Sequence, residues 1–221
     1  PGVQAFSTVT GVAGGRAMFN TGAGRTFSII SGSLIEVFAD GSTIVRAAGL
    51  ALDLNPATIT TNGDAGDQLF ITSGDHGYCY DLLLNTNTEV LTSGATQGGM
   101  LYGYFVAFDK TNSRIRISDL FDGSVWDPTQ FAANSISADN WQAMCVTAFA
   151  QICLVGSKTG QFWYNSGAFP FPFAPDPSAL FQVGCAATFS IKEVNNGVAW
   201  LATSAQGGYT VVFATGYSPP R

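Results

Sequence analysis

Charge is scarce in this sequence: Asp, Glu, Lys and Arg make up 11% of 221 residues, against about 25% in typical soluble domains. Intrinsic disorder is excluded, because a disordered chain is charge-rich and apolar-poor, and here 46% of residues are hydrophobic. Basic residues are scarcest. Nine Lys and Arg leave a net charge of −6, and Arg114 and Arg116 are the closest basic pair. Without a positive patch to neutralise phosphates, a tightly held nucleic acid is disfavoured. His76 is the one histidine, which excludes a His-rich metal site. Cys79, Cys145, Cys153 and Cys185 form no CxxC pair, so neither a zinc knuckle nor a thioredoxin-like site is supported. They read as free buried thiols acting as small hydrophobes, with Cys145 and Cys153 placed to face each other across a hairpin. Apolar runs never reach the ~18–20 residues that span a bilayer, and no signal peptide is visible at Pro1. Heptad-spaced helix formers are nearly absent. The glycine-rich stretches at residues 11–16 and 22–25 lack a GK[ST] ending, so no phosphate loop is expected. Metal and cofactor are expected to be none.

What is present points to an all-β fold. A chain of this length can form one all-β domain and bury roughly 70% of its unfolded surface. A surface of Ser, Thr, Asn, Gln and Gly with few charges resists association weakly. The chain therefore reads as a subunit of a larger assembly rather than a neutral monomer. Beginning at Pro1 and ending at Arg221, it also reads as a processed or excised piece of a longer protein.

Short β-prone runs bounded by Gly, Asn, Asp and Ser recur along the chain. The first unit predicts strands at 25–30, 33–38 and 42–46, with turns at Ser31-Gly32 and Asp40-Gly41. Later units predict strands at 68–72, 77–81 and 88–91; at 101–107 and 114–118; at 151–155 and 161–164; and at 197–202 and 209–213. Taking Phe27, Phe70, Phe105, Cys153 and Trp200 as markers, the units repeat at steps of roughly 35–50 residues, a propeller-like period. Each unit cannot cover both of its own faces, and stacking units around an axis does so. The expected fold is a β-propeller of about five short antiparallel blade units, either a single domain over 1–221 or an interior fragment of a larger propeller. A β-sandwich or barrel is the alternative, although sandwich strands recur at 8–12 residues without a longer period.

The second half carries an ordered series. It reads Asp-Leu-Phe-Asp-Gly-Ser-Val-Trp-Asp-Pro at 119–128, Phe131-Ala132 and Asp139-Asn140. Phe162-Trp163-Tyr164-Asn165-Ser166-Gly167, Phe171-Pro172-Phe173 and Val183-Gly184-Cys185-Ala186-Ala187 follow, then Val198-Ala199-Trp200-Leu201 and Gly216-Tyr217-Ser218-Pro219. Together with Pro1-Gly2-Val3 and Gly77-Tyr78-Cys79-Tyr80-Asp81, this series resembles the packaged-DNA stabilisation proteins of short-tailed, P22-like phages. Family chains are about twice this length, so the sequence would match an interior part. The resemblance implies a tail hub or nozzle below the portal, found in the virion and, during assembly, in the host cytoplasm. It implies a ring of identical subunits with no chemistry, contacts to other tail or portal-adaptor proteins, and packaged DNA met only through the lumen.

Several residues invite other readings. His76 beside Asp75 suggests a triad, but adjacent residues on a strand face opposite ways, and an exposed turn histidine is expected. Asp53, Asp64, Asp67, Asp75, Asp119, Asp122, Asp127 and Asp139 could supply the carboxylate pair of a glycosidase, yet most sit where Asp favours turns. Residues 122–126 miss the spacing of a sialidase aspartate box and read as a turn with a packing tryptophan. Trp126, Trp141, Trp163 and Trp200 could wall a sugar groove, or fill the core. Alternating proline at 169–177 removes ladder donors, leaving an extended loop that presents Phe169, Phe171 and Phe173. These three form either a subunit interface or a lid on the core. A glycan-binding propeller and a protein-binding adaptor are the rival functions.

Overall fold

The computed structural model describes residues 5–9, 14–63, 66–134, 139–203 and 208–215. Its strands fall into five antiparallel sheets, each a simple meander. The first holds β1 (Gly15–Asn20), β2 (Thr26–Ile30), β3 (Ser33–Val37) and β4 (Thr43–Ala48). The second holds β5 (Thr58–Thr61), β6 (Gln68–Ser73), β7 (His76–Asp81) and β8 (Thr86–Leu91). The third holds β9 (Gln97–Leu101), β10 (Tyr104–Asp109), β11 (Arg114–Ile117) and β12 (Phe131–Ala133). The fourth holds β13 (Trp141–Val146), β14 (Ile152–Gly156), β15 (Gly160–Asn165) and β16 (Phe173–Phe181). The fifth has three strands, β17 (Lys192–Val194), β18 (Gly197–Thr203) and β19 (Tyr209–Ala214).

Consecutive sheets pack face to face. Phe27, Ile29 and Leu34 of the first meet Leu69, Ile71 and Tyr80 of the second. Phe70 of the second meets Phe105 and Ala107 of the third. Val106, Phe108 and Ile115 of the third meet Ile152, Leu154 and Trp163 of the fourth. Cys153, Val155 and Phe162 of the fourth meet Val198, Trp200 and Val212 of the fifth. Residues of β1, β5, β9, β13 and β17 line one shared cavity, so the first strand of every sheet faces a common axis. This is a β-propeller: separate sheets stacked around a centre.

The strands legible in the sequence are the second and third of each sheet, with the fourth in the first two. The middle strands are packed on both sides, as in β14, where all five residues are buried, so they read as continuous apolar runs. First strands such as Thr58-Ile59-Thr60-Thr61 are half-buried at the cavity and lack that signal. The run 101–107 corresponds to two strands. Tyr102 and Gly103, at φ 52° and 83°, make a two-residue turn between β9 and β10 that suits a tight hairpin. The loop expected over 169–177 becomes strand from Phe173 onward, with Pro175 opposite Trp163 and an irregular register nearby. Proline is tolerated there because β16 is the edge of its sheet.

Candidate interaction surface

A meander places its first and third connections at one end and its second connection at the other. Hydrogen bonds between sheets show that the ends align. Arg25, in the first connection of sheet one, donates to Leu82 O at 2.6 Å and Asn85 Oδ1 at 2.9 Å, in the third connection of sheet two. Asn62 donates likewise to Phe121 O. At the opposite end Arg16 reaches Ser31 O, Ala51 O and Ser73 Oγ and pairs with Asp53.

The two ends differ in chemistry. At the first end Leu83 and Leu84 are exposed on sheet two, Tyr102, Leu120, Phe121 and Val125 on sheet three, and Phe149 and Phe169 on sheet four. At the opposite end, among the described residues, the exposed large apolar side chains of the connections are Leu52 and Leu54. Scattered exposed apolar residues are ordinary, whereas a concentration on one face marks an interaction site. Gly103 helps shape this end. A Cβ there would lie 2.7 Å from the Phe121 ring, so its absence lets Phe121 fold back over the hairpin.

The segment 169–173 divides in three. Phe169 projects into solvent at 93% exposure, while Phe173 is buried at 3%. Phe171 is half-buried, 5.9 Å from the Phe173 ring, and packs on the core between sheets three and four. One side chain is thus available for contact and two anchor the loop beneath it.

The shared cavity, about 510 Å³, is lined by Phe19, Met100 and Met144 beside Thr58, Gln97, Lys192 and Glu193. Its polar groups are largely committed to joining sheets. Thr58 Oγ1 accepts from Gly98 N at 2.9 Å, and Gln97 Oε1 accepts from Met144 N at 2.8 Å. Glu193 Oε1 accepts from Ala148 N at 2.6 Å. Among the described residues Glu193 is the carboxylate lining it, where glycoside hydrolysis needs a pair.

The aspartates act as turn formers. Asp122, Asp127 and Asp176 each accept from a backbone N–H and a hydroxyl two residues on. Asp139 accepts from Ser157, Lys158 and Thr159, backbone and hydroxyl. Burial pushes its carboxyl upward, but these donors outweigh it and the net shift is down. Asp53 serves Arg16, and Asp64 lies outside the described residues. Asp75 accepts from Gly94 N and Thr96 Oγ1, while His76 Nδ1 meets Glu89 Oε1 at 2.6 Å. Asp75 therefore orients the turn, and the sequence offered no sign of Glu89 as the histidine's partner because it lies on another strand.

Trp141, Trp163 and Trp200 are core pieces, and half-buried Trp126 packs against the core between sheets two and three. Trp141 and Trp163 meet edge to face at 5.7 Å. In the amide orientation that satisfies both indoles, Gln161 accepts from Trp141 Nε1 at 3.3 Å and Trp163 Nε1 at 2.9 Å. Trp200 donates to Gly184 O and Trp126 to Gly123 O. Cys145 lies opposite Cys153 across β13 and β14, and all four cysteines are free. Among the described residues no group of three His, Cys, Asp or Glu could hold a metal ion. No helix there is long and apolar enough to cross a membrane.

Solved structures share this architecture at low identity. PorZ, a bacterial surface component of the type-IX secretion system of Porphyromonas gingivalis, aligns at TM-score 0.61 and 10% identity, over 97% of this chain and 28% of that one. A functionally unknown protein from Desulfotomaculum acetoxidans aligns at 0.62 and 8% identity, over 93% and 76%. A catalytically inactive virginiamycin B lyase from Staphylococcus aureus, solved with quinupristin, aligns at 0.54 and 11%, over 93% and 78%. At such identities the likeness concerns the fold alone. No curated protein matches the chain. Residues 1–221 match the phage-stabilisation family described as bacteriophage P22 Gp10, beta-propeller, and the chain belongs to that family of phage structural proteins.

Proposed function

We propose that this propeller is a non-catalytic component of a phage tail hub or nozzle, assembling as a ring of identical subunits below the portal and helping to retain packaged DNA. Residues 1–221 act as one propeller unit of that ring. The observation that carries the reading is the apolar end, where exposed Leu, Phe and Tyr side chains from three consecutive sheets face one way. That end docks on another tail or portal-adaptor protein, with Phe169 as the most exposed anchor of sheet four. Aromatic anchors dominate such contacts. The low charge fraction and the net charge of −6 suit a wall that DNA passes without sticking, since a negative surface repels phosphates. DNA is met through the lumen alone, and no cofactor takes part.

The test is the native mass of the purified protein by light scattering, joined to electron microscopy. A discrete oligomer with ring-shaped particles is expected, and a monomer at high concentration argues against the reading. In a phage carrying Phe169→Ser, incorporation of the protein into tails should fall at least about tenfold, with the melting temperature unchanged. Full incorporation would remove the apolar end from the argument.

A further inference from the structure

The boundary between sheets two and three is filled differently from the others. Among the described residues its buried cluster holds only Phe70, Leu91, Ala95, Phe105 and Ala107, fewer than any other boundary. Beside that cluster lies a cavity of about 290 Å³. Leu91, Trp126 and Pro128 form its apolar wall, and Thr92, Arg116 and Asp127 its polar side. Thr92, Asp127 and Pro128 are exposed, so the cavity opens to solvent along that rim. Arg116 comes from β11, where Ile115 and Ile117 face sheet four. Side chains alternate across a strand, so Arg116 extends the other way, toward sheet two.

Arg16, Arg25, Arg46 and Arg114 each hold a carboxylate. Among the described residues Arg116 pairs with none. Its Nη2 donates to Ser93 O and, at 2.8 Å, to Gly94 O. Gly94 permits that approach, since a Cβ there would lie 2.7 Å from Nη2. Nε is buried without a partner, and no hydrogen bond from the described residues engages Nη1. The carboxylates nearby are committed elsewhere. Asp109 serves Asn112 and Arg114, Asp75 serves Gly94 N and Thr96, and Asp127 serves Thr129. Burial, and then the charge of Arg114, push Arg116 below its ordinary value. A charge withdrawn from water is costly unless it is paired, and a guanidinium pairs best with a carboxylate or another oxyanion. We infer that this cavity binds a carboxylate carried on a short apolar group, with the carboxylate at Arg116 and the apolar group against Leu91, Trp126 and Pro128. A free carboxylic acid and the C-terminal residue of a peptide share that chemistry. Asp127 at the rim disfavours a multiply charged anion such as phosphate. The inference goes beyond the tail-hub reading and stands independently of it.

The experiment is isothermal titration calorimetry on the whole chain. The probes are phenylacetate, its uncharged analogue phenylacetamide, inorganic phosphate, and the peptide acetyl-Ala-Ala-Phe with a free or an amidated C-terminus. Phenylacetate or the free-carboxylate peptide is expected to bind at least about tenfold more tightly than its amide. Which of the two binds identifies the source, a free acid or a chain terminus. Arg116→Gln should weaken that binding at least about tenfold. Because Arg116 also holds the connection at Ser93 and Gly94, Thr92→Trp serves as a second variant. It fills the cavity from an exposed rim position with Arg116 in place, circular dichroism checks its fold, and the same loss is expected. Should Arg116→Gln fail to fold, Thr92→Trp decides. Absence of binding by both carboxylates overturns the inference. So does an amide that binds as well as its acid, which would make the cavity a merely apolar pit, or phosphate that binds as well, which would make Arg116 a bare cationic spot. Undiminished binding in folded Thr92→Trp overturns it too. None of these outcomes bears on ring assembly or tail incorporation, so the tail-hub reading is tested separately.

Discussion

Arg25 grips Glu36 with two parallel hydrogen bonds, Nε to Oε1 at 2.7 Å and Nη2 to Oε2 at 2.9 Å. Arg46 adds a third donor at 2.6 Å, and the Glu36 side chain is 4% exposed. The same guanidinium reaches Leu82 O of the next sheet, so one ion cluster ties two blades.

Acid should loosen this boundary first. The Arg25 hydrogen bonds, with those of Arg46, hold the Glu36 carboxyl below its ordinary range. A carboxylate lowered on folding contributes stability above its unfolded pKa, about 4.3, and loses it as pH falls toward the folded value. Melting temperature is expected to drop below about pH 4.5, and Glu36→Gln should flatten that drop. Arg25→Ala should cost about 3 kcal/mol by leaving a buried charge short of partners. An unaltered acid profile in Glu36→Gln would show the cluster to be neutral in stability.

Gln97 bridges sheets three and four, accepting from Met144 N at 2.8 Å and donating to Thr188 O at 3.2 Å. Gln97→Leu keeps the bulk and strands both backbone groups. The expected loss is about 2 kcal/mol in urea unfolding. A change below about 0.5 kcal/mol, the ordinary surface range, would mean that water replaces the amide.

Asp139 gathers the turn at residues 157–159 with three backbone N–H bonds between 2.8 and 3.0 Å. Asp139→Ala should destabilise by about 3 kcal/mol, since hydrogen bonds to a charged group are the stronger class. Asp139→Asn should recover part of that. Hydrogen exchange at Ser157, Lys158 and Thr159 would localise the effect, and unchanged protection in the alanine variant would contradict it.

The thiols should be sluggish. Burial pushes Cys79 to about 12, and burial with Glu193 nearby pushes Cys145 to about 11. Thiolate is the reacting species, so alkylation by iodoacetamide at pH 8 should run ~100-fold slower in native protein than in urea. Mass spectrometry with time counts the labels. Rapid native labelling at Cys145, the half-buried member, would show that the cavity opens.

Legibility followed burial. Middle strands such as β10 and β14 are packed on both faces and read as apolar runs. First strands such as Gln97-Gly98-Gly99-Met100-Leu101 alternate in burial, but small and polar residues stand at the axis, so the sequence carries no apolar alternation there. Phe169, Phe171 and Phe173 look equivalent in sequence, yet their exposure runs from 93% to 3%. That gradient depends on sheet three standing beside the loop, where Tyr104 meets the Phe173 ring edge to face at 6.0 Å.

The sequence by itself determined the repeat, the inner hairpins and the turn chemistry, because strand alternation and the φ preferences of Gly, Asn and Asp act over a few residues. Only the tertiary structure decided which aspartates cap which turns and which aromatics point to solvent. It also decided that the exposed apolar residues of the described connections collect mainly at one end. Those outcomes depend on which blade stands next to which, a relation between residues tens of positions apart that no local pattern encodes.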